Sequence, residues 1–127
     1  PDVAGAPLTL ERIAGWIFAP IAWLMGIPWA EAQTTGSLLG IKSILNEFIA
    51  FLQLADMPAG ALSEHSRLIT IYAIAGFANL SSIGIQISGI GAMAPERRND
   101  LANLGFRALV AATLAACMNG AIVGIVA

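Results

Sequence analysis

Charged side chains are scarce in this sequence of 127 residues: Lys, Arg, Asp and Glu make up 11% of it, whereas 57% of the residues are hydrophobic. A soluble helical domain of this size needs a charged outer surface, and here the few charges gather in short stretches between long apolar runs. The net charge of −2, without a basic stripe, excludes a nucleic-acid-binding surface. We therefore predict a membrane protein.

Cysteine and histidine occur once each, as Cys117 and His65. A single cysteine forms no intrachain disulfide or cysteine metal cluster, and Cys117, inside an apolar run, is expected to be a small buried hydrophobe. His65 lies in a polar stretch and is expected to be a solvated loop residue. The sequence shows no Ser–His pair, Asp pair or HExxH motif, which disfavours an intramembrane enzyme. We expect no catalytic residues and no metal site.

Four apolar stretches follow one another along the chain. The first, residues 8–30, begins with a plausible helix cap at Thr9 and carries three tryptophans, which suit a membrane interface. Residues 68–94 and 101–127 are each long enough to cross a hydrocarbon core of about 30 Å. Residues 30–56 can cross once or fold into two half-length helices that enter and leave on one side. Periodicity does not decide between these alternatives.

The arginine positions mildly favour the hairpin alternative for residues 30–56. If that stretch re-enters, Arg12, Arg97 and Arg98 share one face of the membrane and Arg67 lies on the other, whereas a spanning stretch splits the four evenly. The hairpin alternative predicts a cytoplasmic loop at 95–100 and a C-terminus outside.

Two ionisable residues, Lys42 and Glu47, lie in the second apolar stretch. An ionisable side chain at bilayer depth costs roughly 3 kcal/mol, so neither is expected to face lipid. On a continuous helix the two are not well spaced to pair with each other, and Glu47 must therefore bond another segment. That bond serves either a bound solute or helix packing alone.

The centre of the third stretch reads GFANLSSIG. On an unbroken helix Asn79, Ser82 and Gln86 form one polar stripe. Alternatively, Gly76 and Gly84 bracket a break, at which backbone N–H and C=O groups become available to a ligand. A carboxylate, an amide and a hydroxyl together suit a neutral, hydroxyl-rich solute.

Small residues recur every four positions in the last stretch, at Ala108, Ala112, Ala116, Gly120 and Gly124. Such a ridge lies along one face of a helix and predicts close packing of another helix against it. An alanine-rich span can also produce the pattern by chance.

Two segments carry a family resemblance. GIKSILNEFIAF (residues 40–51) resembles the signature of concentrative nucleoside transporters: Gly or Ala, any residue, Lys, three residues, NEFVA, and an aromatic residue or Met. Only Ile49, where Val is usual, departs from it. Residues 72–101, with GFANLSS, resemble the segment of that family with GFANFSS at its centre, with replacements at Ala75 and Leu80. The resemblance covers nearly the whole chain.

The resemblance implies an all-α membrane protein that forms the C-terminal half of an inverted-repeat transporter. Residues 1–30 would then hold a scaffold-type transmembrane helix, and residues 31–127 would be the C-terminal repeat of the transport domain. Within that repeat we expect a re-entrant helical hairpin at about 31–56, a broken transmembrane helix at about 68–94, and a last helix at about 101–127.

The resemblance also implies a substrate site. In the family, the acid of NEF and the Asn and second Ser of FANFSS grip the nucleoside ribose, and the Phe lies against the sugar. By position in the motifs these are Glu47, Asn79, Ser82 and Phe77. Phe77 alternatively serves ordinary packing. Two further residues, Asn46 and Lys42, are expected to support the hairpin.

The family's base-binding and cation-binding groups belong to an upstream hairpin that these residues do not include. Neither the coupling ion, sodium or proton, nor a purine or pyrimidine preference follows from this sequence. We expect part of a nucleoside symporter that forms a homotrimer in the bilayer of a bacterial inner membrane and binds no cofactor. A structural or assembly subunit and a passive solute channel are the alternatives.

Overall fold

Helices account for most of the chain in the computed structural model, which describes residues 2–3 and 5–127. The helices are α1 (Leu10–Leu24), α2 (Trp29–Ile44), α3 (Glu47–Asp56), α4 (Glu64–Ile74), α5 (Leu80–Met93) and α6 (Arg98–Val126). A 3-10 turn, Pro95–Arg97, precedes α6, and two short strands, β1 (Asp2–Val3) and β2 (Ala6–Pro7), pair antiparallel before α1. The prediction of a mostly helical chain is confirmed.

Helices α1 and α2 pack along each other. Helix α1 begins after Thr9, whose side chain accepts a hydrogen bond from the Arg12 N–H at 3.3 Å, and it contains Pro20 without ending there. The chain then bends by 120° into α2. Gly26 stands in this turn with a φ of +100°, a conformation that residues with a Cβ rarely adopt.

Helices α2 and α4 contribute the largest share of the buried core, and α1, α3 and α6 add further members. Its fully buried members include Leu38, Leu39, Ile69 and Ile74. A polar link crosses it: Thr70 Oγ1 donates to the Ser66 carbonyl oxygen at 2.7 Å, so the Thr35 hydroxyl, 2.9 Å away, donates to Thr70. In a bilayer, close packing and hydrogen bonds of this kind associate helices, because lipid is as apolar as the side chains themselves.

The small-residue ridge of α6 packs against α4 over its second half. Ala116 and Gly120 are buried, and a Cβ added at Gly120 would lie 3.0 Å from the Ala73 Cβ. The predicted close helix contact is therefore confirmed for this part. Ala108 and Ala112 do not join it; they line a cavity between α5 and α6.

His65 is exposed, as expected, but it does not lie in a loop. It lies in the first turn of α4, which Ser63 caps by accepting a hydrogen bond from the Ser66 N–H. Its Nε2 is 3.0 Å from the Gly124 carbonyl oxygen, which can only accept, so Nε2 donates. His65 thus joins the start of α4 to the last turn of α6, where helix carbonyls lack helical partners.

One continuous helical run in the part of the chain that the structure describes, Pro95–Val126, is long and apolar enough to cross a bilayer. Helices α1 and α2 meet the same test only when counted together as one bent span. Large apolar side chains stay exposed on the outer faces, such as Leu24 at 73% and Ile125 at 84%. Lipid or further protein must cover such faces.

Candidate functional site

Two short non-helical segments, residues 45–46 and 75–79, lie close together, and each separates two helices. These two segments are called the first and the second break below. Helix α2 ends at Ile44 and α3 begins at Glu47; α4 ends at Ile74 and α5 begins at Leu80. The Asn79 amide Nδ2 donates a hydrogen bond to Glu47 Oε2 at 3.3 Å and joins the two breaks. The N-terminal ends of α3 and α5, which carry partial positive charge, therefore lie side by side.

An asparagine caps the helix that follows each break. Asn46 adopts an extended backbone, and its side-chain oxygen accepts a hydrogen bond from the Ile49 N–H at 3.0 Å. Asn79 does the same for α5, with its Oδ1 2.8 Å from the Ser82 N–H. Asparagine is among the best N-cap residues because its carbonyl oxygen replaces a missing helical acceptor. A local sequence signal, an N-cap asparagine, therefore marks the end of each break.

Three of the expected site residues form one hydrogen-bonded cluster. Asn79, only 2% exposed, donates to Glu47 through Nδ2, and its Oδ1 lies 2.8 Å from the Ser82 hydroxyl. The Ser82 hydroxyl also lies 3.0 Å from the Phe77 carbonyl oxygen, and its one proton serves one of these acceptors at a time. Asn79 is therefore held by both neighbours.

The cluster keeps hydrogen-bonding capacity for a ligand. Within residues 2–3 and 5–127, Asn79 is the side chain that donates to the Glu47 carboxylate, and it uses one of the two oxygens. A carboxylate accepts about four hydrogen bonds, and a serine hydroxyl accepts two while it donates one. The partly buried Glu47 and Ser82 can thus take up hydroxyl groups from a neighbouring molecule.

A cavity of about 360 Å³ opens beside the cluster, between α5 and α6. Its polar lining comes from Asn79, Ser82 and Gln86, and Phe77, which is 73% exposed, stands at its edge. The α6 side of the cavity is apolar. Glu47 does not line the cavity, but it accepts a hydrogen bond from Asn79, which does. The volume falls in the range of small-molecule sites, about 300 to 1,000 Å³.

The buried Lys42 side chain ends next to the segment between α4 and α5, at Gly76. The side chain is 0% exposed, and its Nζ has no hydrogen-bond partner among the described residues. A Cβ added at Gly76 would lie 3.8 Å from that Nζ. The ammonium group therefore stands against the segment that separates α4 from α5.

Sequence reasoning placed the second break less well. Gly84 does not bracket it: this residue lies inside α5, and Ser81 and Ser82 already belong to the first turn of that helix. The capping roles of Asn46 and Asn79 were missed as well. The signal was available, because an asparagine directly before an apolar run is a typical helix start.

Residues 3–124 match the sequence model of a protein family, which is described as Na+ dependent nucleoside transporter C-terminus. Among curated relatives, the chain is 45% identical over 117 residues to the uncharacterized transporter YutK of Bacillus subtilis, covering 92% of this chain and 29% of YutK. It is 43% identical to the putative nucleoside permease NupX of Escherichia coli, over 91% of this chain and 28% of NupX. It is 36% identical to the sodium/nucleoside cotransporter 1 of Mus musculus, over 98% of this chain and 21% of that protein.

Solved structures give the same result. CNTnw in an inward-facing substrate-bound state is similar to 92% of this chain with a TM-score of 0.83 and 45% identity, and 29% of CNTnw is covered. A CNTnw variant in the intermediate 2 state gives a TM-score of 0.88 at 42% identity, over 96% of this chain and 30% of that one. The chain spans less than a third of the length of all these relatives.

Proposed function

Because this chain belongs to the family of the Na+ dependent nucleoside transporter C-terminus, we propose that it is the C-terminal portion of a cation-coupled nucleoside symporter. In this proposal it supplies the ribose-binding half of the substrate site, and alternating access moves the nucleoside without covalent chemistry. The names of the mammalian relatives support sodium as the coupling ion. We place the coupling-ion site and the base-binding groups in the upstream part of the full-length transporter.

The observation that carries the proposal is the hydrogen bond between Asn79 and Glu47, which joins two helix breaks 32 residues apart in sequence. The Glu47 carboxylate accepts hydrogen bonds from ribose hydroxyls, and Asn79 and Ser82 complete the polar cradle. Phe77 lies against the sugar face from the edge of the cavity. This set of groups binds a neutral polyol better than a phosphate or carboxylate, since it offers no exposed positive charge.

Helix lengths support the proposed membrane topology. Helix α3 has 10 residues and α4 has 11, or about 15 Å and 16 Å at about 1.5 Å per residue, so neither alone crosses a core of about 30 Å. We therefore assign α2 and α3 to a re-entrant hairpin and α4 and α5 to the two halves of a broken transmembrane helix. Helix α6 is the last transmembrane helix. Helix α1, whose 15 residues span about 22 Å, is assigned as the scaffold-type helix by the family resemblance and not by its length.

The relatives and the arginine positions support a location. The bacterial relatives favour the inner membrane of a bacterium, with the loop at residues 95–100 in the cytoplasm and the C-terminus outside. The family resemblance favours a homotrimer. In this arrangement, lipid and the rest of the transporter cover the exposed apolar faces of α1, α5 and α6.

Uridine accumulation in proteoliposomes that contain the full-length transporter tests the proposal. An imposed sodium or proton gradient should drive uridine inward against its own concentration gradient. A passive channel would only equilibrate uridine, and a structural subunit would give no uptake above empty liposomes. Either result would overturn the assignment.

We predict that Ser82→Ala raises the KM for uridine by about tenfold, because it removes one hydroxyl that contacts the ribose and also holds Asn79. The amount of transporter in the membrane should stay the same. Ser81→Ala is the matched control: this exposed neighbour lies on the same helical turn, and its KM should not change. If Ser82 served only helix packing, its replacement would lower the amount of transporter in the membrane and leave the KM for uridine unaltered.

A further inference from the structure

Lys42 is the largest fully buried side chain in the part of the chain that the structure describes. Its ammonium group has three donors and no hydrogen-bond partner among those residues. Burying an unpaired charge is unfavourable unless nearby charges or dipoles balance it. The position of Lys42 therefore calls for a balancing negative charge.

The surroundings of Lys42 supply that charge from two sources. The ammonium stands beside Gly76, just after the last turn of α4, and Lys42 itself lies in the last turn of α2. C-terminal helix ends carry partial negative charge. The second source is Glu47, the acid of the proposed site, which stands in the first turn of α3, five residues after Lys42.

One short segment connects Lys42 with Glu47. Residues 75–79 contain Gly76, next to the ammonium, and end at Asn79, which donates to Glu47. Lys42 is 0% exposed, so a solute in the site meets the Glu47 carboxylate and not the ammonium. Any effect of Lys42 on a solute is therefore exerted through Glu47 and the electric field of the site.

We propose that Lys42 is the internal counter-charge of Glu47 and sets the charge selectivity of the sugar site. Together the two residues make the site neutral, so that it takes neutral ribosides and discriminates against sugars that carry a cationic group. The inference rests on the proposed function of the site. It assigns Lys42 a role in specificity beyond support of the hairpin.

Uridine and 5′-amino-5′-deoxyuridine are the matched probes, because they share base and shape and the amine is protonated at neutral pH. In the full-length transporter, Lys42→Met leaves Glu47 without its counter-charge. The preference for the amine relative to uridine, measured as a ratio of competition constants, should rise roughly tenfold. Ser43→Ala is the control, since the Ser43 hydroxyl oxygen, in the same helix, is also buried without a hydrogen-bond partner among the described residues but carries no charge. Its ratio should equal that of the wild type.

A Lys42→Met protein that folds and keeps the wild-type ratio would overturn the inference. A stability cycle tests the pairing without transport. Glu47→Gln and Lys42→Met should each lower the midpoint of thermal unfolding in detergent, and the double variant should be more stable than Lys42→Met alone. A double variant no more stable than Lys42→Met would contradict the pairing. A wild type that accumulates no uridine would instead contradict the proposed function, whatever the outcome of the cycle.

Discussion

Replacing Glu47 with Gln is expected to lower kcat/KM for uridine uptake by about two orders of magnitude, because in the proposed site the ribose hydroxyls lose a charged acceptor. The amide keeps the shape of the side chain, and its oxygen can still accept from Asn79. The amount of full-length transporter inserted in the membrane should not change, since insertion depends on the apolar helices. Initial rates at limiting uridine, normalised to inserted protein, give the measurement.

Glu64→Gln is the matched control for this experiment. Glu64 is also an acid in the first turn of a helix, but it is exposed and far along the chain from both breaks. Its replacement should leave uptake as in the wild type. Unchanged uptake by the Glu47→Gln transporter at limiting uridine would remove Glu47 from the substrate site.

Replacing Gly36 with Val is expected to abolish accumulation of folded transporter. A Cβ at this position of α2 would lie 2.6 Å from the Gly15 carbonyl oxygen and 2.9 Å from the Ala19 backbone nitrogen. Both obstacles belong to the backbone of α1, so the two helices must separate. Overpacking costs about 1 to 3 kcal/mol where side chains can yield, and more is expected here. Fluorescence-detected size-exclusion chromatography of detergent extracts measures the folded fraction.

Gly89→Val provides the comparison, because a Cβ at this position of α5 would meet no atom of residues 2–3 and 5–127 within 4 Å. This variant should elute as the wild type does, and the difference between the two substitutions isolates the α1–α2 contact from the helix propensity of valine. A Gly36→Val transporter that elutes as a folded, monodisperse species would show that α1 and α2 do not pack closely in the membrane.

Local features of the sequence predicted much of the helical structure. Long apolar runs with few charges indicated helices, and the small-residue ridge of α6 indicated the contact that Gly120 makes with α4. The start of α4 was missed, although Ser63 is a typical N-cap residue. Gly84 was wrongly taken as the far edge of a break, because a glycine inside a helix lowers helix stability by about 1 kcal/mol relative to alanine and need not interrupt the helix.

The site depended on information that local patterns do not contain. Glu47 and Asn79 are 32 residues apart, and hydrophobic periodicity reports only which faces of one helix are apolar. From the residues alone, both a bound solute and simple helix packing remained open as explanations of Glu47. Only the family motifs predicted that Glu47, Asn79 and Ser82 belong to one site. In the structure these three side chains are joined by hydrogen bonds.

Binding of uridine and 2′,3′-dideoxyuridine to the wild-type transporter and its Glu47→Gln variant tests the central claim most directly. If the Glu47 carboxylate binds the ribose hydroxyls, calorimetric titration or competition should show uridine affinity about 100-fold lower in the variant. The dideoxy analogue, which lacks those hydroxyls, should bind both proteins within about twofold of each other. An equal loss of affinity for both nucleosides would contradict the claim, because Glu47 would then act on something other than the sugar.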